Sequence, residues 1–206
     1  MPRTPRRERL GLLGGTFDPP HCGHVAAAEA ARDQLELDRV LLVVANDPWQ
    51  KAPLRAVTPA EDRFAMVEAA VEGHRGLEAS RMEIDRGGPS YTVDTVEEVR
   101  AAAAGRGEAV PAVWLVVGAD LVEGLPTWER ADELARLVTL AVVTRPRSPE
   151  PDVGPAWRWV RVEGRGVDVS SSEVRSWLAD GRPVDALVPE AVVRCIRQRD
   201  LYAVGR

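Results

Sequence analysis

Short apolar runs alternate with segments of helical pattern along the chain, and this alternation constrains the fold more than any other feature. The apolar runs cover residues 10–13, 40–45, 112–117 and 138–143. Such runs are typical of strands buried on both faces, and the helices between them are the crossovers that a parallel sheet requires. The pattern therefore predicts an α/β fold with a Rossmann-like, doubly wound parallel sheet.

Helix signals fill the gaps between the apolar runs. Thr58, followed three residues later by Glu61, has the spacing of a capping box, and Phe64, Val67 and Val71 then share one helical face. The other expected elements are helices at 24–35, 91–104, 127–136, 171–179 and 189–199, and a strand at 158–162 after a proline-rich loop at 146–155.

The length of the chain is that of one domain. With 206 residues and 45% hydrophobic content, it can bury one substantial core. We expect a single domain over residues 1–206, with a small C-terminal helical part at 164–206. Residues 1–8 are rich in arginine and are expected to be disordered.

Charge and cysteine content exclude several classes of protein. The formal net charge of -5 provides no global positive field for a nucleic acid. No apolar run approaches a membrane span, and the run after the basic N-terminus is too short for a signal peptide. Cys22 and Cys195 fit neither a disulfide framework nor paired zinc ligands, which indicates a reducing compartment and, by default, the cytoplasm.

The first expected strand ends in Gly14 and Gly15, and the loop after them feeds a helix. In an open parallel sheet a ligand lies just beyond the carboxyl end of a strand. Glycine lets backbone N–H groups approach a phosphate, and the start of the helix adds partial positive charge. Neither the Walker pattern nor GxGxxG is present, so this phosphate site is of another kind.

Two imidazoles take the place of those patterns. His21 and His24 are three residues apart at a helix entrance, with Gly23 keeping the space between them open. Imidazole N–H groups can stabilise charge on a reacting phosphate, as phosphoryl or nucleotidyl transfer requires. We expect no metal ligands here, because zinc would need further ligands that the segment lacks. Cys22 is interpreted as a small, partly buried residue.

A second candidate phosphate site lies near the C-terminus. Ser170 and Glu173 have capping-box spacing at the start of a helix, and Ser171 and Ser172 add hydroxyl groups. Arg175, one turn later, supplies a planar and permanently charged donor. The alternative is simply a well-capped helix.

Three further segments are candidates for binding a second substrate. Lys51 follows the second strand beside Trp49, and a Gly-Gly-Pro turn leads into a helix start at residues 90–92. After the strand at 112–117, Asp120 could accept hydrogen bonds from ribose, and Trp128 offers a flat face for an aromatic ring. Each segment could equally be a turn, a cap or core filling.

Two of these motifs resemble those of the nucleotidylyltransferase superfamily. GGTFDPPHCGH resembles the signature GGTFDPxHxGH, and SSSEVR resembles the motif ISSTxIR, with Val169, Ser172 and Val174 replacing Ile, Thr and Ile. The resemblance implies a nucleotidylyltransferase domain that binds ATP, together with Mg²⁺, between the motif near its N-terminus and the motif near its C-terminus. It implies catalytic roles for His21, His24 and Arg175. The implied ATP-binding residues are Gly14, Gly15, Thr16, Phe17, His21, Gly23, His24, Gly118, Asp120, Ser170, Ser171, Ser172 and Arg175.

Three other segments resemble the nicotinate-mononucleotide adenylyltransferases. SYTVDT is similar to SYTxDT, GADLVEGLPTW to GxDxxxxxxxW, and the closing segment to LVPxxVxxYIxxxxLY. Ala186 and Cys195 depart from the last pattern. The resemblance implies transfer of AMP from ATP to nicotinate mononucleotide, giving deamido-NAD and pyrophosphate. The implied mononucleotide-binding residues are Thr16, Lys51, Ser90, Tyr91, Thr92 and Trp128.

Several alternatives stay open at this point. The acceptor could be nicotinamide mononucleotide or 4′-phosphopantetheine, or the chain could be a nucleotide-binding regulator without turnover. The sequence does not decide between a monomer and a homo-oligomer, the order of substrate binding or the closure of loops. It also does not decide whether Trp49 or Trp128 stacks on the acceptor.

Overall fold

The fold is built on one sheet of six parallel strands. The computed structural model describes residues 7–48, 56–144 and 148–202. The strands are β1 (Arg9–Gly15), β2 (Arg39–Val44), β3 (Leu77–Ser80), β4 (Ala112–Gly118), β5 (Val138–Thr144) and β6 (Trp159–Glu163). Their order across the sheet is β3-β2-β1-β4-β5-β6, and every pairing is parallel. This confirms the expected Rossmann-like, doubly wound fold.

Helices cover both faces of the sheet. They are α1 (Cys22–Gln34), α2 (Ala60–Val71), α3 (Met82–Arg86), α4 (Thr92–Gly105), α5 (Ala131–Leu137), α6 (Ser171–Ala179) and α7 (Glu190–Gln198), with a 3₁₀ helix at Ala119–Thr127. Buried side chains of α1, α2, α6 and α7 form one core, and those of α4, α5 and the 3₁₀ helix form the other. Among the described residues, no helix combines the length and the apolarity that crossing a membrane would need.

The sequence pattern missed β3 and α3. Only Leu77 is buried in β3, because this strand lies at the edge of the sheet. A short edge strand therefore has no apolar run that could reveal it. The five-residue α3 is too short for a helical period.

The capping box predicted at Thr58 and Glu61 is wrong. Pro59 occupies the N-cap position of α2, and it makes no side-chain hydrogen bond that caps the helix. The carbonyl of Thr58 accepts a hydrogen bond from Nε of Arg63, and the carboxylate of Glu61 pairs with Arg81 at 3.0 Å. Pro59 has ψ 143°, outside helical geometry, so α2 starts at Ala60, one residue later than expected.

The single helix predicted at 127–136 is also wrong. A 3₁₀ helix ends at Thr127, and α5 starts only at Ala131. Between them Arg130 has φ 49°, in the left-handed region, which interrupts α-helical geometry. Its guanidinium pairs with Glu97 at 2.9 Å and also with Asp94, so the contact with α4 holds this conformation.

The expected disorder of residues 1–8 needs correction at its end. Residues 1–6 lie outside the described residues. Nε of Arg7 donates to the carbonyl of Val110 at 2.6 Å, and Glu8 pairs with Arg39 at 2.7 Å. These bonds attach the chain to the sheet just before β1 begins.

The order of the strands determines where a ligand can bind. From β1 the chain crosses over to β2 and then to β3, which extend the sheet on one side of β1. It then returns to β4 on the other side of β1, so the switch point of the sheet lies between β1 and β4. Loops from these two strands diverge there and leave a crevice at their carboxyl ends. The loops at 16–21 and 119–127 therefore border the candidate site.

Candidate active site

The loop from β1 to α1 carries the two histidines. His21 is the N-cap residue of α1, with extended backbone at φ -135° and ψ 169°, and His24 is in the first turn. Their rings stack with centroids 3.6 Å apart and planes inclined by 26°. The expectation that both imidazoles face the same side is therefore confirmed in geometry.

A hydrogen bond determines the tautomer of His24. The backbone N–H of His21 donates to Nδ1 of His24 at 3.1 Å. Nδ1 must accept here, so in the neutral ring the proton is on Nε2. Nε2–H is thus the donor that His24 can offer to a ligand.

Phe17 supports His24 from the other side. Its φ of 50° lies in the left-handed region, which is strained for a bulky side chain, and its ring is buried. This conformation places the ring edge-on to His24, with centroids 4.9 Å apart. The strained backbone of Phe17 thus allows its ring to pack against the imidazole of His24.

Two glycines are required by this close packing. A Cβ on Gly15 would lie 2.9 Å from the ring of Phe17, and a Cβ on Gly23 would lie 3.0 Å from Nδ1 of His21. Both distances are too short, so a side chain at either position would displace site residues. A Cβ on Gly14, by contrast, meets open space.

The start of α6 packs directly on the same loop. The side chain of Ser170 caps α6 by accepting from the N–H of Glu173 at 3.1 Å, as predicted. The hydroxyl of Ser171 donates to the carbonyl of Pro19 at 2.9 Å, and Nη1 of Arg175 donates to the carbonyl of Asp18 at 2.6 Å. The two motifs, some 150 residues apart in the chain, therefore form one site.

Ser172 and Cys22 complete this contact. Nη2 of Arg175 donates to the hydroxyl of Ser172 at 3.0 Å, which orients the guanidinium. The backbone N–H of Cys22 donates to the carbonyl of Leu187 at 2.9 Å. Burial raises the pKa of the Cys22 thiol, so the thiol is not activated as a nucleophile.

Ser90 lies in the turn before α4 and is bonded within the protein. Its hydroxyl accepts from the N–H of Asn46 at 2.9 Å, and its own N–H donates to the carbonyl of Asp47 at 3.2 Å. Tyr91 follows as the N-cap of α4, and Thr92 is the first helical residue. The helix start, rather than Ser90, thus provides the N–H groups that an anion could use.

Gly118 and Asp120 lie where β4 ends. Asp120 is exposed, and its carboxylate lies so close over Gly118 that a Cβ at that position would collide with it. Trp128 is half-buried and packs on the core formed with α4 and α5. Lys51 and Trp49 lie outside the described residues.

The chain is similar to known proteins over nearly its whole length. The cytidylyltransferase-like family matches residues 12–176. A probable nicotinate-nucleotide adenylyltransferase of Acidothermus cellulolyticus is 40% identical over 201 residues, which cover 97% of this chain and 96% of the relative. One of Methylibium petroleiphilum is 42% identical over 214 residues, which cover 100% of this chain and 97% of the relative. The chain belongs to the nicotinate-nucleotide adenylyltransferase family.

A solved structure supports the fold of this nicotinate-nucleotide adenylyltransferase family member. The nicotinic acid mononucleotide adenylyltransferase of Plasmodium falciparum, complexed with NaAD, superposes with a TM-score of 0.78. It is 13% identical and covers 95% of this chain and 98% of its own. At that identity the likeness concerns the fold.

Beside the histidines lies a cavity that the sequence did not predict. Its volume is about 340 Å³. Its walls come from the first turns of α1, the end of β5 and the loop after β6: Gly23, Ala26, Ala27, Val143, Thr144 and residues 164–168. Arg165 fixes this loop by pairing with Glu29 at 2.6 Å and Asp33 at 2.8 Å on α1. The cavity is large enough for a small ligand group and is lined by both apolar and polar residues.

Arg63 is a second feature of this family member that the sequence analysis missed. It is 1% exposed, and it donates to the carbonyls of Thr58, Thr16 and Asn46 at 2.7, 2.8 and 3.2 Å. It therefore joins the loops after β1 and β2 to the start of α2. Its place in the buried row with Met66, Val67 and Ala70 was the available signal.

The hydrogen bond between Tyr202 and Asp18 is the third feature that the sequence analysis missed. The hydroxyl of Tyr202 donates to Oδ1 of Asp18 at 2.6 Å. Burial, and then this hydrogen bond, raise the pKa of Tyr202, so its hydroxyl remains a donor. The C-terminal segment thus reaches the loop of this nicotinate-nucleotide adenylyltransferase family member that carries the histidines.

Proposed function

We propose that the chain transfers AMP from ATP to nicotinate mononucleotide and releases deamido-NAD and pyrophosphate. The observation that carries this proposal is the contact of Ser171 and Arg175 with the loop that bears His21 and His24. This contact brings the two segments together, so groups from both ends of the chain could serve one reacting phosphate. The names of the full-length relatives support nicotinate mononucleotide as the acceptor.

The reaction is a direct displacement at the α-phosphorus of ATP. An oxygen of the mononucleotide phosphate forms the new P–O bond, and the bond from the α-phosphorus to the bridging oxygen breaks as pyrophosphate leaves. Positioning and charge stabilisation suffice for such a transfer, so no covalent nucleophile is needed. His21 and His24 donate to the phosphate oxygens, His24 through Nε2–H.

ATP spans the two motifs. The backbone of residues 14–17 and the helix start at Gly23 lie on the phosphate side. The backbone N–H groups at the start of α6 (Ser170, Ser171 and Ser172) and the guanidinium of Arg175 would hold the triphosphate and the leaving pyrophosphate, since the Ser171 hydroxyl donates to Pro19. The 340 Å³ cavity next to Gly23 receives the adenine ring. Gly118 and Asp120 lie on the ribose side.

Mg²⁺ enters as part of the substrate. In the part of the chain that the structure describes, no three His, Cys, Asp or Glu side chains are grouped to hold a metal ion. Mg²⁺ is commonly bound through substrate phosphates and retained water. The ion would therefore be carried by the ATP phosphates and would neutralise charge between them.

The acceptor lies between α4 and the segment after β4. The N–H groups of Tyr91 and Thr92 take the pyridine carboxylate, Trp128 stacks on the ring, and Thr16 contacts the phosphate side. Lys51, outside the described residues, stays a predicted ligand of the acceptor. The hydroxyl of Ser90 is bonded to Asn46, so Ser90 shapes the turn that precedes these donors. Placement in the cytoplasm, with no nucleic-acid partner, accords with the charge and cysteine content.

Product analysis tests this function. The purified chain is incubated with MgATP and nicotinate mononucleotide, and the dinucleotide and pyrophosphate are quantified together. Equal amounts of deamido-NAD and pyrophosphate are expected. Formation of ADP would indicate a kinase, and absence of any dinucleotide would favour a nucleotide-binding regulator.

A further inference from the structure

Glu83 is a buried carboxylate to which the proposed reaction gives no role. It lies on α3 and is 7% exposed. The hydroxyl of Thr95, on α4, donates to its Oε1 at 2.5 Å, and the hydroxyl of Ser90 bonds to the same carboxylate. Nη2 of Arg86 lies 3.9 Å from Oε1. Burying a carboxylate is costly, so the bonds it makes there are expected to matter.

The bond to Ser90 extends to the neighbouring loop. A hydroxyl has one proton to donate, and Ser90 gives it to Glu83 while its oxygen accepts from the N–H of Asn46. The side chain of Asn46 donates to the carbonyl of Gly88 at 3.0 Å. The turn at 87–90 is thereby held between the loop after β2 and the carboxylate on α3.

Glu83 thus forms hydrogen bonds with the start of α4 at two points. Ser90 precedes the N-cap Tyr91, and Thr95 lies in the next turn of the helix. Between these two points lies the first helical turn, beginning at Thr92, and the direction of its N–H groups depends on how the helix start is held. A change in either bond would tilt these donors relative to Trp128.

We propose that Glu83 is a positioning residue of the acceptor site, holding the start of α4 so that its N–H groups meet the pyridine carboxylate. This inference rests on the proposed function. It assigns to Glu83 an effect on the mononucleotide and none on ATP, which binds at the other end of the crevice. Replacement should therefore change the KM for one substrate only.

The test compares KM values of four variants. Glu83→Ala removes both hydrogen bonds. It should raise the KM for nicotinate mononucleotide about tenfold, which corresponds to a loss of about 1.4 kcal/mol of binding free energy. The KM for ATP should stay within about twofold of the wild-type value, a change under 0.5 kcal/mol. Glu83→Gln keeps an oxygen that accepts from Thr95 but presents an N–H donor to Ser90 in place of an acceptor, so it should restore only part of the affinity. Thr95→Val removes one of the two hydrogen bonds, so it should raise the KM for nicotinate mononucleotide less than Glu83→Ala does.

The matched control is Glu68→Ala. Glu68 is an exposed glutamate on α2, so both KM values should be unchanged. If Glu83→Ala does not fold, Thr95→Val decides alone.

The outcomes separate the two proposals. An equal rise of both KM values, or no rise for the mononucleotide, overturns the role of Glu83 and leaves the proposed function standing. Absence of turnover in the wild type overturns the proposed function and this inference with it.

Discussion

The hydroxyl of Tyr202 donates a 2.6 Å hydrogen bond to Oδ1 of Asp18, which joins residues 184 positions apart. Asp18 is 1% exposed and lies three residues before His21. A carboxylate buried to that extent depends on its donors. The contact therefore couples the last described turn of the chain to the loop that carries the two histidines.

Replacing Tyr202 by Phe removes this donor and the contacts of the same hydroxyl with Met66 and Thr58. We expect the free energy of unfolding to fall by about 1–3 kcal/mol, because a buried carboxylate loses one of its donors. Turnover should fall about tenfold, because the loop that positions the histidines loosens. Thermal unfolding and initial rates measure the two effects. In a double-mutant cycle with Asp18→Asn, fully additive effects would contradict the coupling.

His24→Ala should reduce kcat about 100-fold, since one donor to the transition-state charge is lost. Circular dichroism should show that the fold is retained. His74→Ala is the control, because His74 pairs with Glu29 at 2.9 Å on the outside of the fold. A folded His24→Ala variant with near-normal turnover would refute the assigned role.

Arg63→Met should destabilise the chain by removing the donor to three carbonyls in the loops after β1 and β2. The carbonyls of Thr16, Asn46 and Thr58 lose their donor, and a loss of about 3 kcal/mol is expected. For a chain of this size that lowers Tm by roughly 6–12 °C. Arg197→Met, at an exposed position on α7, should shift stability by less than about 0.5 kcal/mol. Equal Tm values for the two variants would disprove the role of Arg63.

The stability of the fold should depend on pH through Glu83. Burial raises the pKa of Glu83, and the hydrogen bonds from Thr95 and Ser90 only partly offset the rise. The folded chain thus holds this proton more tightly than the unfolded chain, whose glutamate pKa is about 4.3. The contribution of Glu83 to stability is fully present below that value and is lost as the pH rises through the raised pKa.

Unfolding at several pH values tests this linkage. The free energy of unfolding of the wild type, minus that of Glu83→Gln, should decrease as the pH rises from about 4 to about 7. Glu68→Gln, at an exposed position on α2, should show no such trend. A difference that stays constant or grows with pH would contradict the raised pKa.

The central strands and the capped start of α6 were predictable because their signals are local. Apolar runs mark the central strands, and Ser170 with Glu173 marks the start of α6. The edge strand at Leu77 lacks such a run because one side of it has no neighbouring strand.

The supporting residues of the site were not predictable in the same way. Arg63 and Glu83 are charged, and charged side chains are expected at the surface unless they find partners. Their partners lie on other loops and helices, so only the folded chain reveals them. The same holds for Tyr202, which meets Asp18 across almost the whole sequence.

The choice of acceptor is the central claim, and parallel kinetics test it most directly. kcat/KM is measured with MgATP and, in turn, nicotinate mononucleotide, nicotinamide mononucleotide and 4′-phosphopantetheine. We expect nicotinate mononucleotide to be preferred by at least about tenfold, because backbone N–H groups at the start of α4 pair better with a carboxylate than with an amide. An equal or higher value with the amide, or turnover with 4′-phosphopantetheine alone, would contradict the account.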